Sequence, residues 1–232
     1  MALFITIPKS VVATILAFGS GVLVAALSFS LVEEAFQLTK DVLPVIIGFV
    51  IGGLSYTTAN FILSRKSGEM TKRRKRSHYT DVQDNSNNKG QGLTLLVGSV
   101  MDNIPENIAL GISFVVGGTV NIVLIIAIII SNFPEGLASS HGMRLNGKSR
   151  RYVLSLWSTA VIIGTISAGL GYSVLSNTSP TTIGITTSFA AGAILAMLAE
   201  SMMPEAFVQG GSKIGLATVA GFATAFTLGT LG

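Results

Sequence analysis

Apolar residues fall along this chain in long unbroken runs divided by short polar stretches. They show neither the strict alternation of a half-buried strand nor the narrow stripe of a soluble helix. Seven runs reach roughly the 20 residues needed to cross a hydrocarbon core, at about 10–32, 42–64, 93–117, 119–143, 152–175, 183–207 and 213–231. No charge lies between Lys9 and Glu33, or between Asp41 and Arg65. The last three runs are rich in Gly, Ser and Thr, which suits helices packed closely against one another. The pattern predicts an all-α, polytopic membrane helix bundle of about seven transmembrane helices.

The third and fourth runs are interrupted by two copies of one short motif. They read Asp102-Asn103-Ile104-Pro105-Glu106-Asn107 and Ser131-Asn132-Phe133-Pro134-Glu135-Gly136, offset by 29 residues, with Ala109 matched by Ala138. A carboxylate inside a membrane-spanning helix is costly and by default functional. Residues three and four apart share a helix face. Asn103 and Glu106 therefore point together with Asp102 one turn below, and Asn132, Glu135 and Ser131 repeat the arrangement. Pro105 and Pro134 lack the amide hydrogen and free the carbonyls of Met101 and Ile130. The two runs are joined by a short turn at Gly117-Gly118, which makes them antiparallel neighbours. If their motif faces meet, Asp102, Asn103, Glu106, Ser131, Asn132 and Glu135 form an oxygen-rich cage for a divalent cation. Protons in place of a metal, or plain structural kinks, are the other readings of the same residues.

A second repeat links the ends of the chain. Residues 18–36 and 189–207 align without gaps at an offset of 171, pairing Phe18 with Phe189, Gly21 with Gly192, Ser30 with Ser201 and Glu34 with Glu205. With seven alternating spans the two copies run in opposite directions, as in transporters built from inverted repeats around a site near the midplane.

Composition supports a membrane protein: 11% of residues are charged and the mean hydropathy is +0.66, where soluble domains are about a quarter charged. No cysteine is present, which excludes disulfides, thiolate metal sites and a cysteine nucleophile. The net charge of +4 does not indicate nucleic-acid binding, because the basic residues gather in loops between the apolar runs. Those loops hold Arg65 to Lys89, Arg144 to Arg151 and Lys213, all on one side of an alternating seven-span chain. The positive-inside rule makes that side cytoplasmic, with the N-terminus inside and the C-terminus outside. A plasma or inner membrane is expected, and no signal peptide, since the charged n-region and cleavage site are missing. The organisation expected is 1–64 for the first two spans, 65–92 for a basic disordered cytoplasmic loop, 93–143 for the motif pair and 144–232 for the last three spans.

The paired Asn-x-Pro-Glu motifs resemble those of the ZIP (Zrt-, Irt-like) family of divalent-metal transporters. That family carries them as His-Asn-x-Pro-Glu-Gly and Gln-Asn-x-Pro-Glu-Gly in its fourth and fifth helices. Phe189-Ala190-Ala191-Gly192-Ala193 leading to Met203-Pro204-Glu205-Ala206 is similar to its seventh helix, and Leu16 to Val22 to its second. The resemblance implies a bundle of inverted repeats flanking the motif helices, often homodimeric. It also implies movement of Zn2+, Mn2+, Fe2+ or a related ion into the cytoplasm as substrate, without a resident cofactor. Asp102, Glu106, Ser131 and Glu135 would form the inner site, and Asn103 and Asn132 a companion site sharing the glutamates. Asp102 and Ser131 stand where the family has imidazole or Gln, which shifts preference toward the harder Mn2+ and Fe2+. Asn107 replaces a Gly, and residues 154–172 hold no acid for a second metal. A counterpart of the family's first helix is not expected in residues 1–8, which are too short to span; either the first repeat works without it or the reading frame begins too late.

His141, Glu200 and Glu205 lie toward cytoplasmic ends and form a candidate exit relay for an ion or protons; water-bonded interfacial residues are the alternative. Glu33 and Glu34 close the first run on the outer side. His78, with Asp81 and Asp84, resembles a metal-sensing loop only faintly. An enzyme is not expected: a zinc protease needs a His-Glu-x-x-His pair, and the histidines are His78 and His141. The alternative to a transporter is a non-transporting relative acting as a metal sensor or scaffold.

Overall fold

A computed structural model describes residues 8–66, 91–117, 122–145 and 147–231 of the chain. Among them there is no strand, and the fold is all-α. Helix α1 (Lys9–Ala26) continues through a π-helical turn (Leu27–Val32) into α2 (Glu33–Thr39), and α3 (Val42–Lys66) follows. The motif helices are α4 (Gln91–Gly117) and α5 (Ile122–Leu145). After α6 (Arg150–Leu175) and α7 (Pro180–Met197), a second π turn (Leu198–Met202) leads into α8 (Met203–Gly210), and α9 (Ile214–Leu231) ends the bundle. Most of the basic loop expected at 65–92, with His78, Asp81 and Asp84, lies outside the described residues.

Local chemistry sets these boundaries. Lys40 takes a left-handed conformation (φ 55°) and its amide N–H reaches the Phe36 carbonyl at 2.8 Å, closing α2. Ser149 and Ser179 cap α6 and α7, each Oγ accepting a backbone N–H three residues on at 3.2 Å. Such caps satisfy donors that the first helical turn leaves unpaired. Gly211, at φ 65° and ψ −153°, breaks α8 from α9 with a backbone that side chains oppose.

Among the described residues four stretches are long and apolar enough to cross a membrane: Ser10–Thr39, Val42–Leu63, Arg150–Leu175 and Pro180–Gly229. They make this a membrane protein. The last is 50 residues long and holds the break at Gly211. Seven such runs were expected. Asp102, Asn103, Glu106 and Asn107 lower the hydropathy of α4, and among the described residues of α5 the apolar stretch is Leu124–Phe133.

Helices pair closely at glycine. In α1 and α9, Gly21 lies against the Thr218 carbonyl and Gly221 against the Phe18 carbonyl, so a Cβ at either would overlap backbone. In α3 and α7, Gly52 meets the Phe189 carbonyl and Gly192 the Phe49 carbonyl in the same way. A third pair joins α4 to α6, with Gly111 on Ala168 and Gly171 on Ile108. Without side chains the backbones approach within dispersion range along several turns, the packing that substitutes for hydrophobic drive inside lipid.

All three pairs are parallel. Ala13 is beside Gly210, just before α9, while Phe29, in the π turn that continues α1, meets Phe222 edge-on and Phe226 at a tilt further along. Gly52 is beside Phe189 while Thr57 and Asn60 reach Glu200, and Asn107 is beside Gly164 while Gly111 meets Ala168. The first two crossings fall on residues that the sequence repeat pairs, and the π turns begin at Leu27 and Leu198, also 171 apart.

The apolar core gathers around α1 and α7, with Leu23, Leu31, Ile194, Met197 and Leu198 fully enclosed beside Leu124 and Ala127 of α5 and Ala109 of α4. Gly19 of α1 rests on the α5 backbone at Ile130 and Ser131. The face of α5 bearing Ile122 and Ile129 is open, at 69% and 61% exposed.

Candidate metal centre

Glu106 is the deepest charged residue among those described, 2% exposed at the middle of α4. Two α5 side chains reach across to it. Asn132 donates Nδ2–H to Oε2 at 2.8 Å, and Ser131 Oγ donates to Oε1 at 3.3 Å. The expected meeting of the two motif faces is present at these three residues. Asn132 also donates to its own helix at the Ile128 carbonyl, 2.9 Å away. Both amide hydrogens are thereby engaged, and Oδ1 is the atom Asn132 can offer a cation.

Ser131 is buried, and its hydroxyl lies 3.0 Å from the Ile128 carbonyl as well. The cluster thus combines one carboxylate, one hydroxyl and one amide. These are hard oxygen donors of the kind that hold Mg2+, Mn2+ or Fe2+ more readily than they select Zn2+. Glu135 and His141 belong to α5, but their side chains are outside the described residues. Among the described residues no three His, Cys, Asp or Glu side chains converge.

Asp102 turns to a different pair of partners. Tyr56 of α3, 6% exposed, donates its phenolic O–H to Oδ1 at 2.5 Å. Ser201 of the second π turn donates to Oδ2 at 3.3 Å. Asn103 is half-buried, and its backbone carbonyl accepts the Asn107 Nδ2–H at 2.8 Å. Asn107, which fills the place of a motif glycine, is accommodated by a glycine on the neighbouring helix. A Cβ at Gly164 would fall 2.9 Å from its Nδ2.

Two of the candidate exit residues have described side chains. Glu200, on the second π turn, accepts Thr57 Oγ1–H at 2.6 Å and Asn60 Nδ2–H at 2.7 Å. Glu205, in α8, accepts Gln209 Nε2–H at 3.3 Å. Sequence reasoning did not single out Tyr56, Thr57, Asn60 or Ser201 as site residues. A polar group in an apolar run was the signal available, and Ser-Tyr-Thr-Thr-Ala-Asn at 55–60 is such a cluster. The π turn that carries Glu200 and Ser201 follows a wider pattern: extra residues inserted in a helix occur frequently at functional sites.

No family model matches the chain, and no curated protein matches it.

Proposed function

We propose that this protein carries a divalent metal cation across the membrane into the cytoplasm, through a site between α4 and α5 centred on Glu106, Ser131 and Asn132. The observation that carries this reading is the enclosed Glu106 carboxylate, held by hydroxyl and amide groups of the facing motif helix. A membrane-embedded carboxylate kept among hard polar donors is costly to maintain without a ligand or proton to serve. The resemblance to the ZIP family points the same way.

Seven alternating crossings with inverted repeats complete the reading. In such a chain the first and seventh helices run parallel, as do the second and sixth and the third and fifth. The α1–α9, α3–α7 and α4–α6 pairings all obey that requirement. The N-terminus and the basic loop are cytoplasmic, and Glu135 joins the site from α5.

The test is uptake of Zn2+, Mn2+, Fe2+ and Cd2+ into proteoliposomes, for the wild type, Glu106→Gln and Glu135→Ala. Uptake is expected to fall to that of empty vesicles in both variants, with Mn2+ and Fe2+ ranked above Zn2+. Uptake retained in both would overturn the assignment. The engagement of Asp102 by Tyr56 and Ser201 favours a second reading, a non-transporting metal sensor or scaffold. A folded wild type with no flux above empty vesicles would select it.

A further inference from the structure

We propose that Tyr56 is a latch on the site: its phenol holds the Asp102 carboxylate aside, and a cation entering beside Glu106 takes Asp102 from it. The inference rests on the metal-transport reading and assigns that site its regulation. Asp102 is one helical turn below Glu106 on α4, close enough in register for both carboxylates to serve one ion. Yet its two oxygens accept from Tyr56 at 2.5 Å and Ser201 at 3.3 Å. A hydrogen bond to an ionised group in a poorly hydrated interior is strong. Asp102 therefore has two competing demands, and a cation must displace a phenol to recruit it.

The matching half of the bundle argues that this pairing is specific. Gly52 stands to α7 as Gly221 stands to α1, so Tyr56 and Ala225, each four residues further along, occupy equivalent places. Asp102 and Ser131 match between the motifs, and Ser201 matches Ser30 in the repeat. One half therefore has tyrosine facing aspartate where the other has alanine and serine. A purely structural tyrosine would need no carboxylate partner, and the α1–α9 half packs without one. The cavity beside Ala225 is lined by Phe18, Val22, Ile126, Ile130, Thr224 and Leu228.

The full-length protein in detergent, titrated calorimetrically with Mn2+ and with Zn2+ separately, provides the test. Tyr56→Phe removes the phenol with little change of shape and is expected to bind the preferred ion about tenfold more tightly. Reconstituted, it is expected to show a lower KM and a lower maximal rate, because the phenol then no longer competes for Asp102 when the ion must leave. In an Asp102→Asn background the same substitution should change affinity by less than about twofold. Equal affinity of Tyr56→Phe and wild type overturns the latch, as does a tenfold gain that persists without Asp102. Should Tyr56→Phe fail to fold, Asp102→Asn alone decides through selectivity. Loss of affinity shows that the ion recruits Asp102, and unchanged affinity overturns the latch. If the folded wild type binds neither ion, the transport reading falls and the latch with it. Binding that ignores Tyr56 removes the latch alone.

Discussion

Two equivalent places in the bundle have been filled with opposite chemistry. Where α3 meets the second π turn, Glu200 accepts hydrogen bonds from Thr57 and Asn60, and Asp102 accepts them from Tyr56 and Ser201. Where α9 meets the first π turn, Phe29 takes the place of Glu200 and Phe226 that of Thr57. Phe29 packs on Phe226 at 5.0 Å between centroids and on Phe222 at 5.9 Å. The glycine crossings beneath the two places are alike, so the backbone framework is shared and the side chains differ. One place holds carboxylates among hydrogen-bond donors, and the other holds a cluster of aromatic rings. The two halves share a framework and differ in chemistry.

Substituting the shared framework should produce the largest effect and should not distinguish the halves. Gly21→Ala and Gly192→Ala each place a Cβ inside a carbonyl of the partner helix. Each is expected to cost about 2 kcal/mol, read as loss of thermal stability in detergent. A large effect at one glycine and none at the other would break the equivalence. Next comes the polar end. Glu200→Ala leaves Thr57 and Asn60 without their acceptor, and uptake should fall about tenfold, equivalent to about 1.4 kcal/mol, with the folded fraction preserved.

The aromatic end should answer differently. Phe29→Ala is expected to lower stability by about 1 kcal/mol through the lost ring contacts while leaving the metal ranking in uptake unchanged. A shifted ranking would mean that ions also pass there. The smallest effect expected is that of Ser201→Ala. Its bond to Asp102 is 3.3 Å long and should contribute no more than about 0.5 kcal/mol, visible as a slight tightening of metal binding in the direction of Tyr56→Phe.

Much of this arrangement was readable from the residues. The approach of Asn132 and Ser131 to Glu106 follows from helical periodicity and a short turn between antiparallel neighbours, both local properties. The duplication visible at Phe18-Gly21 and Phe189-Gly192 reappears as matched crossings, because a glycine that admits a carbonyl leaves a mark in sequence. Less was legible wherever partners come from distant segments. Nothing near Asp102 names Tyr56, and it is α7, packed on both α3 and α4, that brings them together. The π turns were invisible, since one added residue changes neither composition nor periodicity over so short a run.

The glycine crossings also constrain how the molecule can move. Two of the three join a helix from near the start of the chain to one from near its end, α1 with α9 and α3 with α7, so the two sequence repeats are braided. The stiff bodies are the crossed pairs, with α5 attached to α1 through Gly19 and α6 clamping α4. A cleft between those bodies would run between α4 and α5, through the junction of Glu106 with Ser131 and Asn132. In the metal-transport reading an ion lodged there would be gripped by both sides, and parting them would dismantle its coordination shell.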